Sequence, residues 1–97
     1  MTEGLTNMPN VYIDEYLPEL SGAEVKVLLA ILRRTVGCQK ESEEISLSQL
    51  ERMTGLTRHS VIDGLRRLIE RGLVVQTQEA RGIRAASYRC VIPGEQR

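Results

Sequence analysis

The stretch from Ser46 to Gly72 constrains the fold of this chain most, because two short amphipathic patterns there lie on either side of Gly55. Ser46 stands three residues before Gln49, a spacing typical of a helix that begins with a capping box. Gly55 suits the left-handed residue of a tight turn, and Thr57 can cap a second helix. Two short helices joined by a tight turn predict a helix-turn-helix.

Apolar spacing gives each of these helices an inner face. On the first helix we expect Leu47, Leu50 and Met53 to face inward, with Leu56 at the corner. The inner stripe of the second helix consists of Val61, Leu65, Leu68 and Ile69, flanked by Ile62. Gly72 is placed to end that helix, with Leu73 making the apolar contact just beyond it.

A hairpin follows the two helices. Residues 73–79 and 87–92 read as strands, residues 80–86 form the tip between them, and Ile45 adds a short edge strand. The fold class is therefore mainly α with a small β-hairpin wing, a winged helix-turn-helix. We expect this domain to span residues 11–93, after a flexible N-terminal arm at 1–10 and before a tail at 94–97.

An earlier helix should begin at the capping box formed by Ser21 and Glu24 and end near Arg34. Its expected core stripe is Val25, Leu28, Leu29 and Leu32, and Val27, Ala30 and Ile31 widen the apolar surface. Such a helix must be covered on both sides, by the N-terminal segment or by a second subunit. The candidates for a dimer interface are Ile13, Tyr16, Leu17, Val27 and Ile31.

Composition narrows the class of protein. With 97 residues, 41% of them hydrophobic, the chain suits one globular domain. It contains neither an apolar run of membrane length nor a secretory signal, so we expect a cytoplasmic protein with no membrane partner.

Cys38 and Cys90 are expected to be reduced, buried thiols, and no zinc ligand set is spaced along the chain. His59 is the only histidine and no catalytic constellation surrounds it, so we expect no enzyme activity and no cofactor.

The net charge of zero hides an asymmetry along the chain. Residues 1–24 carry five acidic residues and no lysine or arginine, whereas residues 52–97 carry nine arginines against four acidic residues. The basic charge therefore lies in the second helix of the helix-turn-helix and in the wing. This distribution favours an electrostatic footprint for nucleic acid on one face.

The outward face of the second helix supplies candidates for binding DNA. Residues near the start of this helix contact bases in helix-turn-helix proteins, and these are Arg58, His59, Ser60 and Asp63. The candidates for phosphate contacts are Arg52, Thr57, Arg66, Arg67, Arg71, Arg81 and Arg84. Asp63 would either accept a hydrogen bond from a cytosine or hold a neighbouring arginine in an ion pair. Gly64, in mid-helix, indicates either close approach of another backbone or simple tolerance.

Three segments of the chain resemble the N-terminal winged-helix domain of bacteriophage replication protein O. They are NVYIDEYLPELSGAE at 10–24, LLAILRRTVG at 28–37 and ISLSQLERMTGL at 45–56. The resemblance extends to domains of plasmid and primosomal replication initiators of the DnaD type. It implies a partner, double-stranded DNA carrying origin repeats, which the phage family often binds as a homodimer. It also implies that replication proteins are recruited through a region outside this chain.

The sequence is compatible with two other functions. A transcription regulator can share the same fold and would differ in binding a promoter operator. In proteins of the DnaD type the same fold serves mainly oligomerisation, so a protein-interaction module without DNA binding is the second alternative.

Overall fold

The computed structural model describes residues 4–93. A π-helical turn at Tyr12–Tyr16 and a 3-10 turn at Leu17–Glu19 precede the first long helix, α1, at Gly22–Arg34. A further 3-10 turn, Val36–Cys38, follows α1. The remaining elements are β1 at Glu43–Glu44, α2 at Leu47–Thr54, α3 at Arg58–Glu70, β2 at Val74–Gln78 and β3 at Ser87–Cys90. The predicted winged helix-turn-helix, mainly α with a small β-hairpin wing, is confirmed.

The three strands form an antiparallel sheet in the order β1-β3-β2. Glu43 lies opposite Tyr88, Val74 lies opposite Cys90, and the register of β2 shifts between Gln76 and Gln78. The edge strand ends just before Ile45, whose amide still donates to the carbonyl of Ala86 at 3.0 Å. Ile45 itself is buried, so it belongs to the core beneath the sheet.

Local sequence signals set the helix ends as predicted. Both capping boxes form, with the Ser21 amide donating to Glu24 Oε1 at 2.7 Å and the Ser46 amide donating to Gln49 Oε1 at 2.8 Å. Gly55 adopts φ = 74° at the turn between α2 and α3. These contacts connect residues three or four positions apart, so they depend on little beyond the immediate sequence.

The helix α1 lies at the centre of the molecule, where it contacts α3, α2 and β3. Val27 and Ile31 have no exposed surface in the single chain. Their proposed place in a dimer interface is therefore wrong, because α3 and the rest of the core already cover them. The largest fully buried aliphatic side chains of α1 and its neighbours are Leu28, Ile31, Leu32, Ile45, Leu50, Leu68 and Leu73.

The predicted inner stripes are wrong at three positions. Leu29 of α1 is 47% exposed and Met53 of α2 is 41% exposed. Both line one shallow surface depression together with Lys26 and Arg33, because the buried side of α1 is centred on its other aliphatic residues. Ile69 of α3 is also exposed, since it lies beyond the edge of the face that packs on α1.

The N-terminal segment covers part of the core through a residue that the apolar spacing missed. The ring of Tyr12 is buried, and its hydroxyl donates to the carbonyl of Val91. Met8, Val11, Tyr16 and Leu20 pack against the core around it. Ile13 and Leu17 are 47% and 42% exposed, so they remain accessible to a second subunit.

Both cysteines are free thiols. Cys38 is exposed, so its predicted burial is wrong, whereas Cys90 is partly buried. Burial raises the pKa of the Cys90 thiol to about 12, against a smaller lowering by the hydrogen bond with Thr35. Among residues 4–93, no helix combines the length and the apolar character needed to cross a membrane.

Candidate nucleic-acid interface

The helix α3 is oriented by its packing against α1. Val61, Gly64, Leu65 and Leu68 are buried, which leaves the opposite face of α3 open to solvent. His59, Arg66 and Arg67 lie on that open face, as the helical periodicity predicts. The side of α3 available to a partner is therefore the polar side.

Gly64 allows this close packing of two helices. A Cβ atom at Gly64 would lie 3.2 Å from the carbonyl oxygen of Ala23 and 3.3 Å from its carbonyl carbon. Those two atoms belong to the backbone of α1, so they cannot turn aside as a side chain can. Of the two interpretations left open by the sequence, close approach of another backbone is the one that the structure supports.

Arg58, the first residue of α3, reaches back to α2. Its Nε donates to Glu51 Oε2 at 2.6 Å, and its Nη2 donates to Ser48 Oγ at 2.8 Å. The side chain remains 53% exposed. Arg58 therefore lies at the surface but is held between two elements of the helix-turn-helix.

A depression of about 430 Å³ separates the beginnings of α2 and α3 from the tip of the wing. Arg58 and Arg84 both line this depression. The fold thus brings together one candidate from the recognition helix and one from the wing, although they are 26 positions apart in the sequence.

Asp63 holds two of the candidate arginines. Its Oδ1 accepts from Arg66 at 2.5 Å and its Oδ2 accepts from Arg67 at 3.1 Å. Arg66 also donates to Glu70 at 3.1 Å. The hydrogen bonds from Arg66 and then Arg67 lower the pKa of the Asp63 carboxyl below its usual value. The interpretation that Asp63 pins neighbouring arginines is the one that this geometry supports.

The wing carries a compact tip. The backbones of Arg81 and Arg84 exchange two hydrogen bonds of 2.9 Å, and Gly82 between them has φ = 58°. Glu44 of β1 accepts from the Arg84 guanidinium at 3.2 Å and from the Ala85 amide at 2.9 Å. These contacts attach the base of the tip to the edge strand.

Arg71 has a structural role that was not predicted. Its Nε donates to Glu24 Oε2 at 2.6 Å, and its Nη2 donates to the backbone carbonyl of Glu19 at 3.0 Å. Glu24 is only 1% exposed. The Arg71 guanidinium thus connects the end of α3 to the start of α1, and its contact with phosphate stays a prediction.

The remaining candidates differ in whether their side chains bind another residue of the protein. Thr57 is the N-cap of α3, where its Oγ1 accepts from the amide of Ser60 at 3.2 Å. Arg52, His59 and Arg81 are exposed. None of these three forms an ion pair with another residue of the described range 4–93.

Three residues that the sequence reasoning missed determine where the arginines lie: Glu44, Glu51 and Ser48. Glu51 and Arg58 are seven positions apart and belong to different helices, so the spacing rule for pairs on one helix does not reach them. Within residues 4–93, no group of three or more histidine, cysteine or acidic side chains is arranged to hold a metal ion.

One flank of α3 is apolar instead of charged. A shallow groove of about 440 Å³ lies between α3, the start of α2 and β3. Ile62 and Ile69 line it at 46% and 38% exposure, and Leu47, Leu65 and Tyr88 complete its apolar lining. Arg66 and Glu70 stand at its rim.

A comparison with protein families finds one family model that covers most of the chain. The family model described as bacteriophage replication protein O matches residues 1–87. No curated protein and no solved structure matches the chain.

Proposed function

The chain belongs to the bacteriophage replication protein O family, and we propose that its winged helix binds double-stranded DNA at a replication origin. The observation that carries the proposal is the family match over residues 1–87, which covers α1, the whole helix-turn-helix and the wing tip. The proposed role is one of binding, with no catalytic step of its own.

In the proposed complex α3 enters the major groove. Arg58, His59, Ser60 and Asp63 are near its beginning, the part of a recognition helix that contacts base edges. Arg66 and Arg67 face the same side and are placed to reach the flanking phosphates. The wing, with Arg81 and Arg84, would contact an adjacent phosphate or the minor groove. Arg52 on α2 is the remaining candidate for a phosphate contact.

Homodimerisation is part of the proposal, because the family resemblance implies repeated sites in the origin DNA. Ile13 and Leu17 are the candidates that keep substantial exposed surface, and Tyr16 lies between them, half-buried. Other replication proteins would be bound by a region outside these residues.

The test is selection of bound duplexes from a random double-stranded library by the purified chain, followed by sequencing. We expect one motif to be enriched at about 100 mM salt, where non-specific phosphate contacts are already weakened. A motif that recurs as repeats in phage or plasmid DNA supports an initiator, and a lone motif at promoters supports a transcription regulator instead. Failure to enrich any motif would contradict sequence-specific binding.

The apolar groove beside α3 favours a second candidate, a protein-interaction module of the DnaD type. An exposed apolar surface on one flank of a helix is a feature of interaction sites. This alternative predicts self-association that DNA leaves unchanged. Sedimentation of the chain alone and with the selected duplex separates the two candidates, because a DNA-binding domain must sediment faster when its duplex is added.

A further inference from the structure

Arg58 differs from the other arginines of the candidate interface in how its guanidinium is held. Its two hydrogen bonds go to two residues of α2, and the bond to Glu51 is short at 2.6 Å. Glu51 is 30% exposed, less than Asp63, Glu44 or Glu70. The plane of the Arg58 guanidinium is therefore fixed by two contacts with a neighbouring helix.

The atoms used in these contacts determine which N–H donors of Arg58 remain available to bind DNA. A guanidinium is a rigid fork with five N–H donors. Glu51 and Ser48 bind Nε and Nη2, which lie along the side edge of the fork. Nη1 has no hydrogen-bond partner among residues 4–93, and Nη2 has two N–H bonds, of which Ser48 takes one. With Ser48 on the N–H next to Nε, the end edge, formed by Nη1 and Nη2, stays open.

An open end edge matches one base in the major groove. Guanine presents two acceptors there, O6 and N7, and a bidentate arginine is its commonest specific partner. Arg58 is the first residue of α3, and the beginning of a recognition helix is the part that reaches bases.

The other arginines lack this combination, and Arg67, for example, is held through Nε alone, by Asp63 of its own helix. Arg66 uses Nη1 for Glu70 and Nη2 for Asp63, so both nitrogens of its end edge are engaged. Arg84 has a similar side-edge contact with Glu44, but through longer bonds of 3.2 and 3.3 Å and on the wing instead of the recognition helix.

We propose that Arg58 reads a guanine in the bound DNA through its Nη1–Nη2 edge, and that Glu51, with Ser48, is a positioning residue that holds the guanidinium for this contact. The proposal rests on the proposed function, since it names the base that the DNA-binding surface recognises. It gives Glu51 a role in specificity, although its own carboxylate would repel the DNA backbone.

The experiment measures binding of the purified chain to the selected duplex and to duplexes in which each base pair of the motif is replaced in turn. The quantity compared is the ratio of affinities between duplexes, because removing a carboxylate alters the affinity for every duplex. We expect one guanine that the natural chain distinguishes from the other bases by roughly 5- to 150-fold. Replacing this guanine by 7-deazaguanine, which lacks N7, should weaken binding as well.

Variants assign the contact. Arg58→Ala should lose the preference at that guanine and its sensitivity to 7-deazaguanine, while preferences at the other positions persist. Glu51→Ala should reduce the preference at the same position, whereas Glu51→Gln should keep most of it because its amide oxygen can still accept from Nε. Arg52→Ala is the matched control, since it removes one exposed arginine of α2 and should weaken all duplexes alike.

The outcomes separate the inference from the proposed function. Uniform weakening by Arg58→Ala, with every base preference retained, would show a phosphate contact and overturn the inference while DNA binding stands. A full guanine preference in folded Glu51→Ala would overturn the positioning role. If the natural chain enriches no motif, the proposed function fails and the inference falls with it. Circular dichroism of each variant verifies that the chain is folded.

Discussion

At the scale of single residues, Glu24 has the most demanding environment. It is almost fully buried, yet it is charged and accepts hydrogen bonds from the Ser21 amide and the Arg71 guanidinium. Burial raises the pKa of its carboxyl, but the hydrogen bonds from Arg71 and Ser21 together lower it by more, so the net pKa lies below the usual value for glutamate. A carboxylate with a lowered pKa stabilises the fold above the unfolded-state value and loses that contribution as the pH falls.

We predict that Glu24→Gln lowers the free energy of unfolding by about 2 kcal/mol at pH 7, because the partly buried Arg71 guanidinium loses a charged hydrogen-bond acceptor. The deficit should shrink as the pH falls through the lowered pKa of Glu24, since the carboxyl of the natural chain is then protonated in the folded state as well. Urea denaturation at several pH values measures both effects. Glu19→Gln is the control: this exposed carboxylate lies 3.6 Å from the same arginine, so its loss should cost less than about 0.5 kcal/mol. Equal effects of the two substitutions would contradict the argument.

At the scale of elements, the contact between α1 and α3 depends on the absence of a side chain at Gly64. Glycine in mid-helix costs about 1 kcal/mol relative to alanine, and here that cost is offset by the approach of two helix backbones. The buried faces of α1 and α3 meet at this point, which also directs the polar side of α3 outward. The packing of one pair of helices thus exposes the candidate DNA-binding face.

We predict that Gly64→Ala lowers the free energy of unfolding by about 1 kcal/mol, because the gain in helix propensity is smaller than the cost of pushing the Ala23 backbone away. Gly22→Ala provides the comparison, since nothing lies within 4 Å of a Cβ atom at that position of α1. It should raise stability by about 0.5 kcal/mol. Thermal and urea denaturation of the two variants give the signs, and stabilisation of similar size by both would refute the close-approach explanation.

Elements were predictable from the sequence where their signals are local. The caps at Ser21, Ser46 and Thr57 and the turn at Gly55 depend on residues a few positions apart, and each formed as expected. Exposure was harder to predict, as Leu29 shows, because periodicity gives an apolar stripe but does not say how much of it a neighbour covers. The arginine pairs Arg58–Glu51, Arg84–Glu44 and Arg71–Glu24 connect different elements. No spacing in the sequence could have revealed them.

At the scale of the whole molecule, positive and negative charges are equal in number, with 13 basic and 13 acidic residues. Within the candidate interface, carboxylates are paired to Arg58, Arg66, Arg67 and Arg84. Arginines that are paired with carboxylates attract phosphate weakly, until DNA replaces the carboxylates or binds the remaining N–H donors. Discrimination among DNA sequences then depends more on base contacts than on charge.

We predict that Asp63→Asn increases affinity for random-sequence duplex by about 3-fold at low salt, because one negative charge leaves the surface and two arginines are released. The increase should fall at higher salt, and preference for the selected motif should decline. Fluorescence anisotropy with both duplexes at two salt concentrations measures this. Glu41→Gln makes the same charge change at an exposed position of the segment between α1 and β1. It should leave both affinities unchanged; a matching increase would indicate an effect of net charge alone.

The strand order has a consequence for how the domain is made. Among residues 4–93, β3 is the last strand along the chain and the middle strand of the sheet. During synthesis, which proceeds at roughly 5–20 residues per second, β1 and β2 both leave the ribosome before either has a partner. The wing and the edge strand therefore close together when β3 emerges. Until then the growing chain carries a helix-turn-helix without its sheet, and a nascent chain stalled before Ser87 would expose apolar surface that chaperones recognise.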